Sequence, residues 1–408
     1  MSEQLHSQLF KLALEINKET LDIKCITEIL RYFRNLCATD KNSQVTVGED
    51  EYCIDLICTL FDKLLEQPKI EENIVCLRVG CQFIGNLIVD NSANKLKIHN
   101  KCFTHIRKLM LLGDEKLSQF CAMILYNIIL SQGEACQDIL KKTDLVRAIL
   151  NQNSEFSTFI TETLLFKHGE IEALYSNCDL EARIMLLTMI RDQAMDDKNV
   201  PDTCITFIAD RFKKQSDKIL KIVSTYVESL DPQEICALLF TLASLSGSDT
   251  GPYLKTLQTD NSLFINCAFL LRSIHEAGKS GNNCFTSVRK LPDENSKSKE
   301  NPVYGFKADL IRLIGNLCYG HDKNKNQVRE LDSIPILLDC CNIDDSNPFI
   351  LQWSILALKN ISERCHENQA IIAGLAKKDV AFSPILEELG YTLHSEDGKG
   401  IRIAPLKR

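Results

Sequence analysis

The sequence predicts an all-α, armadillo/HEAT-like right-handed helical-repeat solenoid, and three observations predict it. One helical unit is written nearly twice toward the C-terminal end. IRLIGNLCY (311–319) is an apolar stripe that ends in a polar corner and Asn326-Gln327-Val328, and ILALKNISE (355–363) repeats it before Asn368-Gln369-Ala370. The pivot asparagines Asn316 and Asn360 stand 44 positions apart, and a period of roughly 40–47 residues belongs to armadillo and HEAT repeats. The motif also echoes upstream at Asn35, Asn86 and Asn127, separated by 51 and 41 residues, the excess in the first interval reading as a loop insertion. Finally, 408 residues with 45% apolar and 25% charged side chains, but only 17 glycines and 10 prolines, suit a packed helical chain.

Taken in order, Leu5, Leu9, Leu12 and Ile16 give the spacing of a one-sided helix, fit for an N-terminal cap. CITEILRYFRNLC, YCIDLICTLFDKLL, CLRVGCQFIGNLIV and FCAMILYNIIL follow as apolar helices, the second ending at a corner marked by Pro68. From Thr143 to Ala277 the motif fades, yet DLVRAILNQ, EFSTFITETLLFK, DLEARIMLLTMIRDQA, TCITFIADRF and DKILKIVSTYVESL keep one-faced helical patterning, enough for about three degenerate repeats. Pro232 and Pro335 suit first-turn positions, where a missing N–H costs nothing. The loop Asp344-Asp345-Ser346-Asn347-Pro348 is expected to start the next helix, with Asn347 or Ser346 supplying the cap oxygen. Residues 278–304 are rich in Gly, Asn, Ser, Lys and Pro and read as a flexible linker or long loop. The expected organisation is therefore an N-terminal array (1–277), that linker, a C-terminal repeat unit (305–390) and a basic flexible tail (391–408), with PILEELGY as a capping helix.

GNLCY, IPILLDCCNIDDSNPF and LALKNISERCHENQ resemble the C-terminal domain of the ataxin-10 family, over roughly a fifth to a quarter of the chain. The most specific string holds Asn342, Asp344, Asp345, Asn347 and Pro348. The resemblance implies a non-catalytic interaction scaffold in the cytoplasm, perinuclear or associated with centrosome and cilium. It implies roles in cytokinesis, neuronal survival and neurite outgrowth through Ras–MAP kinase signalling. Implied partners are a G-protein β subunit, the O-GlcNAc transferase, mitotic kinases and ciliary proteins, with self-association left open. Ser296 and Ser298, in the Ser-Lys run of the linker, are candidate regulatory residues.

Composition narrows the function classes. A net charge of −8 argues against nucleic-acid binding, which needs basic surface to displace counterions. No run approaches the ~20 apolar residues of a membrane span. The opening MSEQLHSQLFKLALEINKET lacks a signal-peptide pattern, so reduced cysteines in the cytosol are expected. The eighteen cysteines sit mostly in apolar runs and read as small core hydrophobes. Cys102–His105, Cys318–His321 and Cys365-His366 have pairwise metal-ligand spacing, but without CxxC pairs they read as core thiols beside corner histidines. Gly278-Lys279-Ser280 lacks the earlier glycine of a phosphate loop, since position 273 is Ser273. No cofactor is expected, and no catalytic constellation stands out; a reactive cysteine ranks third among the functional readings.

The pivot asparagines leave a second reading, an importin-like adaptor that binds basic peptides in an acidic concave groove. Such grooves pair each Asn with a Trp one turn earlier. Here those positions are Arg31, Gln82, Met123, Arg312 and Leu356, while Trp353 lies seven before Asn360 and reads as core. Pairing of the amides within the fold is the expectation, because buried amides are normally satisfied internally.

Overall fold

The computed structural model describes residues 2–196, 198–220, 232–248, 252–279, 284–285, 301, 303–376, 391–396 and 400–405. The chain divides into two compact units, Met1–Ala182 and Arg183–Arg408. The division thus falls well before the 278–304 segment that composition singled out.

Unit 1 holds α1 (Ser2–Ile16), α2 (Ile23–Thr39), α3 (Lys41–Glu49), α4 (Glu51–Leu65), α5 (Glu71–Ile88), α6 (Ser92–Met110), α7 (Glu115–Ile129), α8 (Gly133–Leu140), α9 (Thr143–Asn151), α10 (Glu155–Glu162) and α11 (Ile171–Ser176). Aspartates and asparagines punctuate it. Asp22, Asp40, Asp50, Asn91 and Asp114 each accept an N–H from the first turn of the helix that follows, satisfying donors the helix leaves orphaned. One row of helices packs α2 on α5, α5 on α7 and α7 on α10, while α1, α4 and α6 pack in a second row. Fully buried Phe33, Phe61 and Phe83 lie among Ile and Leu side chains between the rows.

α12 (Leu180–Met195) lies at the division. Unit 2 continues with α13 (Asp202–Gln215), α14 (Pro232–Ser246), α15 (Tyr253–Thr259), α16 (Asn261–Lys279), α17 (Phe306–Cys318), α18 (Asp322–Glu330), α19 (Ile334–Asp339), α20 (Ile350–Ser362) and α21 (His366–Ala376). Its row runs α13, α14, α17, α20. Pro232 and Pro335 open their helices as expected. At Gly315 a Cβ would stand 2.8 Å from Ala357 Cα, so α17 and α20 approach at a distance only glycine allows. Among the described residues no helix is long and apolar enough to cross a membrane. The architecture is the all-α armadillo/HEAT-like class read from the sequence.

Several local expectations change. The longer first repeat interval is not a loop insertion: α4 has 15 residues where its counterpart α19 has 6, and α5 has 18 where α20 has 13. The ends of the composition-biased segment are ordered by packing. α16 runs to Lys279, Phe285 is buried with its ring 6.3 Å from that of Phe306, and Asn301 Nδ2 donates to the Cys284 carbonyl at 2.6 Å. The tail is not uniformly irregular either. Tyr391–Glu396 (β1) and Gly400–Pro405 (β2) form an antiparallel hairpin pairing Tyr391 with Pro405 and Glu396 with Gly400, because alternating apolar residues in YTLHSE and GIRIAP favour extended pairing. The capping helix expected at PILEELGY lies, but for Tyr391, outside the described residues, as do Ser296 and Ser298.

Candidate functional site

Three of the five pivot asparagines hold repeats together. Asn86 Nδ2 donates to the Arg34 carbonyl at 2.9 Å, and Asn360 Nδ2 donates to the Gly315 carbonyl at 3.1 Å; each acceptor immediately precedes the pivot of the preceding repeat. Asn316 reaches back to Ser246 Oγ at 3.0 Å. Asn127 turns on its own helix instead, donating to Met123 O at 2.9 Å, and Asn35 accepts from the Arg34 guanidinium.

Eight residues after three of these pivots stands a second amide that spacing alone located only in part. Buried Asn94, Asn324 and Asn368 donate to the carbonyls of Leu87, Leu317 and Ile361, each one residue past a pivot. Asn94 and Asn368 also reach back to Gln44 O and Lys325 O. Gln44, Gln258 and Lys325 run the other way, donating to the open carbonyls at the C-terminal ends of α5, α17 and α20. These amides are spent on the backbone of the stack.

The C-terminal motif loop does something different. Asn347 does not cap α20. That helix begins after Phe349 without a side-chain cap. Asn347 Oδ1 accepts the Lys307 and Ala308 N–H groups at 3.0 and 3.3 Å, so it caps α17 from 40 positions away. Its Nδ2 donates to Phe285 O and, at 2.9 Å, to Asp344 Oδ2. Ser346 O accepts the Gly305 N–H at 2.8 Å, and Asp344 Oδ1 accepts that of Ser346. Asn342 donates to Asp339 O and closes α19. Pinned in this way, the loop delivers Phe349 with φ of +62° and 68% of its surface exposed. A bulky residue in the left-handed region is held there against steric strain.

Phe349 lines two hollows. One, about 460 Å³, lies between Phe240, Tyr304, Asp309, Arg312, Phe349 and Trp353. The other, about 490 Å³, continues past Tyr304 and Phe349 to Ile343 and Asp345. Trp353 is half-buried here rather than core, and the Arg312 guanidinium covers its ring at 4.6 Å from the centroid. That contact occupies one face of the indole with a cation of the chain's own. Burial pushes the Asp309 carboxyl up to about 6 and lowers the Arg312 pKa. Burial, and then the neighbouring Asp344, also raise that of Asp345.

The other chemical candidates resolve into structure. Cys318 is buried and His321 caps α18, accepting the Asn324 N–H on Nδ1. Cys365 is buried, while His366 stands at the exposed start of α21. Glu15, Asp22 and Cys25 lie close enough to share a cation, yet Glu15 is paired with Lys18 and Asp22 caps α2. All eighteen cysteines are unpaired thiols. Arg312 on Trp353 and the remote cap of Asn347 were not legible in the sequence, since each joins residues about 40 positions apart.

Stacked helix pairs wired by amides, with a groove at one step, define a helical-repeat protein of armadillo type. The family described as Spinocerebellar ataxia type 10 protein domain matches residues 306–403, which takes in α17 to α21 and most of the hairpin. Ataxin-10 of Homo sapiens is 31% identical over 395 residues, covering 92% of this chain and 81% of that protein. The ataxin-10 homolog of Dictyostelium discoideum is 42% identical over 95 residues, 23% of this chain and 16% of that protein. A designed armadillo repeat protein is similar at 11% identity, covering 86% of this chain and 99% of the other with a TM-score of 0.27. The chain belongs to the ataxin-10 family.

Proposed function

We propose that the chain is a non-catalytic, cytoplasmic protein-interaction scaffold whose principal docking element is the Phe349 groove of unit 2. The observation that carries this reading is Phe349 itself, exposed and backbone-strained between Tyr304 and half-buried Trp353. Strain held at a site without a packing role is a signature of recognition, and exposed aromatic residues at a groove are typical binding anchors. The occupant that fits is a protein segment presenting an apolar side chain, not a lysine-rich peptide, because Arg312 already covers Trp353. The finer roles are proposals resting on family membership: cytokinesis, centrosome and cilium biology, and neurite outgrowth through Ras–MAP kinase signalling. So are the partners, a G-protein β subunit, the O-GlcNAc transferase, mitotic kinases and ciliary proteins.

The test is proximity labelling in cells with the full chain and with Phe349→Gly. Glycine relieves the left-handed strain, so the variant should be as stable as the parent or up to about 1 kcal/mol more stable, yet it should lose its strongest neighbours. An unchanged neighbour list would place docking elsewhere. A truncation after Ala277 is a poor substitute, because α14, α15 and α16 pack directly on α17.

A further inference from the structure

Unit 1 contains a cluster that the docking function does not use. Cys58 on α4 and Cys102 on α6, 44 positions apart, face each other with sulfurs 3.1 Å apart. Cys102 is fully buried and Cys58 is partly exposed. The His105 imidazole lies beside the Cys58 thiol, and its Nε2 is 3.2 Å from Asp62 Oδ1. Its Nδ1 is buried with no hydrogen-bond partner among the described residues. A partly open sulfur, a second thiol in reach and an imidazole oriented by a carboxylate are the parts of a reactive thiol site.

We propose that Cys58 and Cys102 are a peroxide-reactive thiol pair, oxidised to a reversible disulfide that staples α4 to α6. Cys58 thiolate attacks one oxygen of hydrogen peroxide. The O–O bond breaks, hydroxide leaves and takes a proton to become water, and Cys58 becomes a sulfenic acid. His105 is placed to supply that proton. Cys102 sulfur then attacks Cys58 sulfur and loses its own proton. The S–O bond breaks, the S–S bond forms and a second water leaves. Two thiols and one peroxide give one disulfide and two waters, and a small-molecule thiol reverses the step by exchange.

The electrostatics agree with the geometry. Hydrogen bonding from Cys102 is the largest influence on Cys58 and, with His105, overcomes burial and the Asp55 charge to hold its thiol below the usual thiol range. Cys102 is driven the opposite way by Cys58 and by burial, with Cys81 of α5 adding to the rise and Lys101 opposing it. Cys58 and Asp62 raise the His105 pKa. Cys81 and Cys121 also interact within unit 1, but both are fully buried, so they provide an internal control. The four donors of the cluster do not converge as a metal site does, since they are not among the groups able to share an ion.

The experiment treats the reduced full-length protein with near-stoichiometric peroxide, blocks free thiols and maps disulfides by mass spectrometry. The expected product is a Cys58–Cys102 linked peptide, with Cys81 and Cys121 left alkylatable. In Cys102→Ala, Cys58 should accumulate as sulfenic acid that a dimedone probe traps. Cys58 alkylation should rise at a lower pH than that of an unperturbed cysteine peptide. At pH 6.5 it should run faster than an unperturbed cysteine peptide, more thiolate outweighing its lower nucleophilicity. His105→Asn should move the midpoint upward. Absence of the linked peptide, or alkylation no faster than the peptide, overturns the proposal. So does one zinc per chain in the purified protein that Cys58→Ser removes.

Discussion

The step from α2 to α5 and the step from α17 to α20 use the same wiring. In both, the pivot amide reaches the carbonyl before the preceding pivot, at Arg34 and at Gly315. In both, the second asparagine bridges two backbone carbonyls, and a side chain of the preceding repeat closes the next helix end, from Gln44 to Val89 O and from Lys325 to Glu363 O. The steps differ by seven residues in length yet keep register, because helix length and loop length change between fixed polar contacts. What differs is the loop. Five residues follow α4, whereas ten follow α19, and those ten carry the remote cap, strained Phe349 and the rim of the groove. Shared contacts hold the stack, and the unshared ones mark the candidate site.

Removing the shared amides gives the largest expected effect. Asn368→Ala and Asn94→Ala each leave one helix-end carbonyl without its side-chain donor and cut a second bond to the preceding repeat, so each should cost about 2–3 kcal/mol in urea unfolding. Asn127→Ala, whose amide bonds only its own helix, should cost under ~1 kcal/mol. Equal losses at all three would break the comparison.

Asp309 sharpens it through pH. It stands seven before Asn316, where the α5 repeat places Val79. Its folded carboxyl titrates at about 6, above the ~3.9 of an unperturbed aspartate, so the native state binds the proton more tightly. Stability is therefore fully present below about pH 4 and declines as pH rises through 6, by about 1–3 kcal/mol. Asp309→Asn should flatten that decline in thermal unfolding between pH 4 and 7 and be the more stable protein at pH 7. A slope unchanged in the variant would assign the effect to other groups.

The unshared cap gives a smaller effect than the shared second asparagines. Asn347→Ala removes the acceptor at the start of α17 and should cost about 1–2 kcal/mol. It should also release the loop, seen as faster amide exchange at Ser346 and Phe349. Loss of stability without faster exchange would mean that the cap holds the helix but not the groove.

The sequence by itself determined the helical class, first-turn Pro232 and Pro335, and the burial of most cysteines. Each follows from a period, a local backbone rule or the apolarity of a thiol, all written within one turn or one repeat. Tertiary structure alone decided that Asn347 caps α17 rather than α20, that Arg312 covers Trp353 and that Cys58 meets Cys102. Those pairs lie about 40 positions apart, one repeat away, and no local pattern specifies which face of one repeat meets which face of the next. The unit boundary escaped for the same reason. Composition at 278–304 suggested a break, but the apolar faces of α14 and α16 have α17 to pack against, and buried area rather than composition determines what folds together.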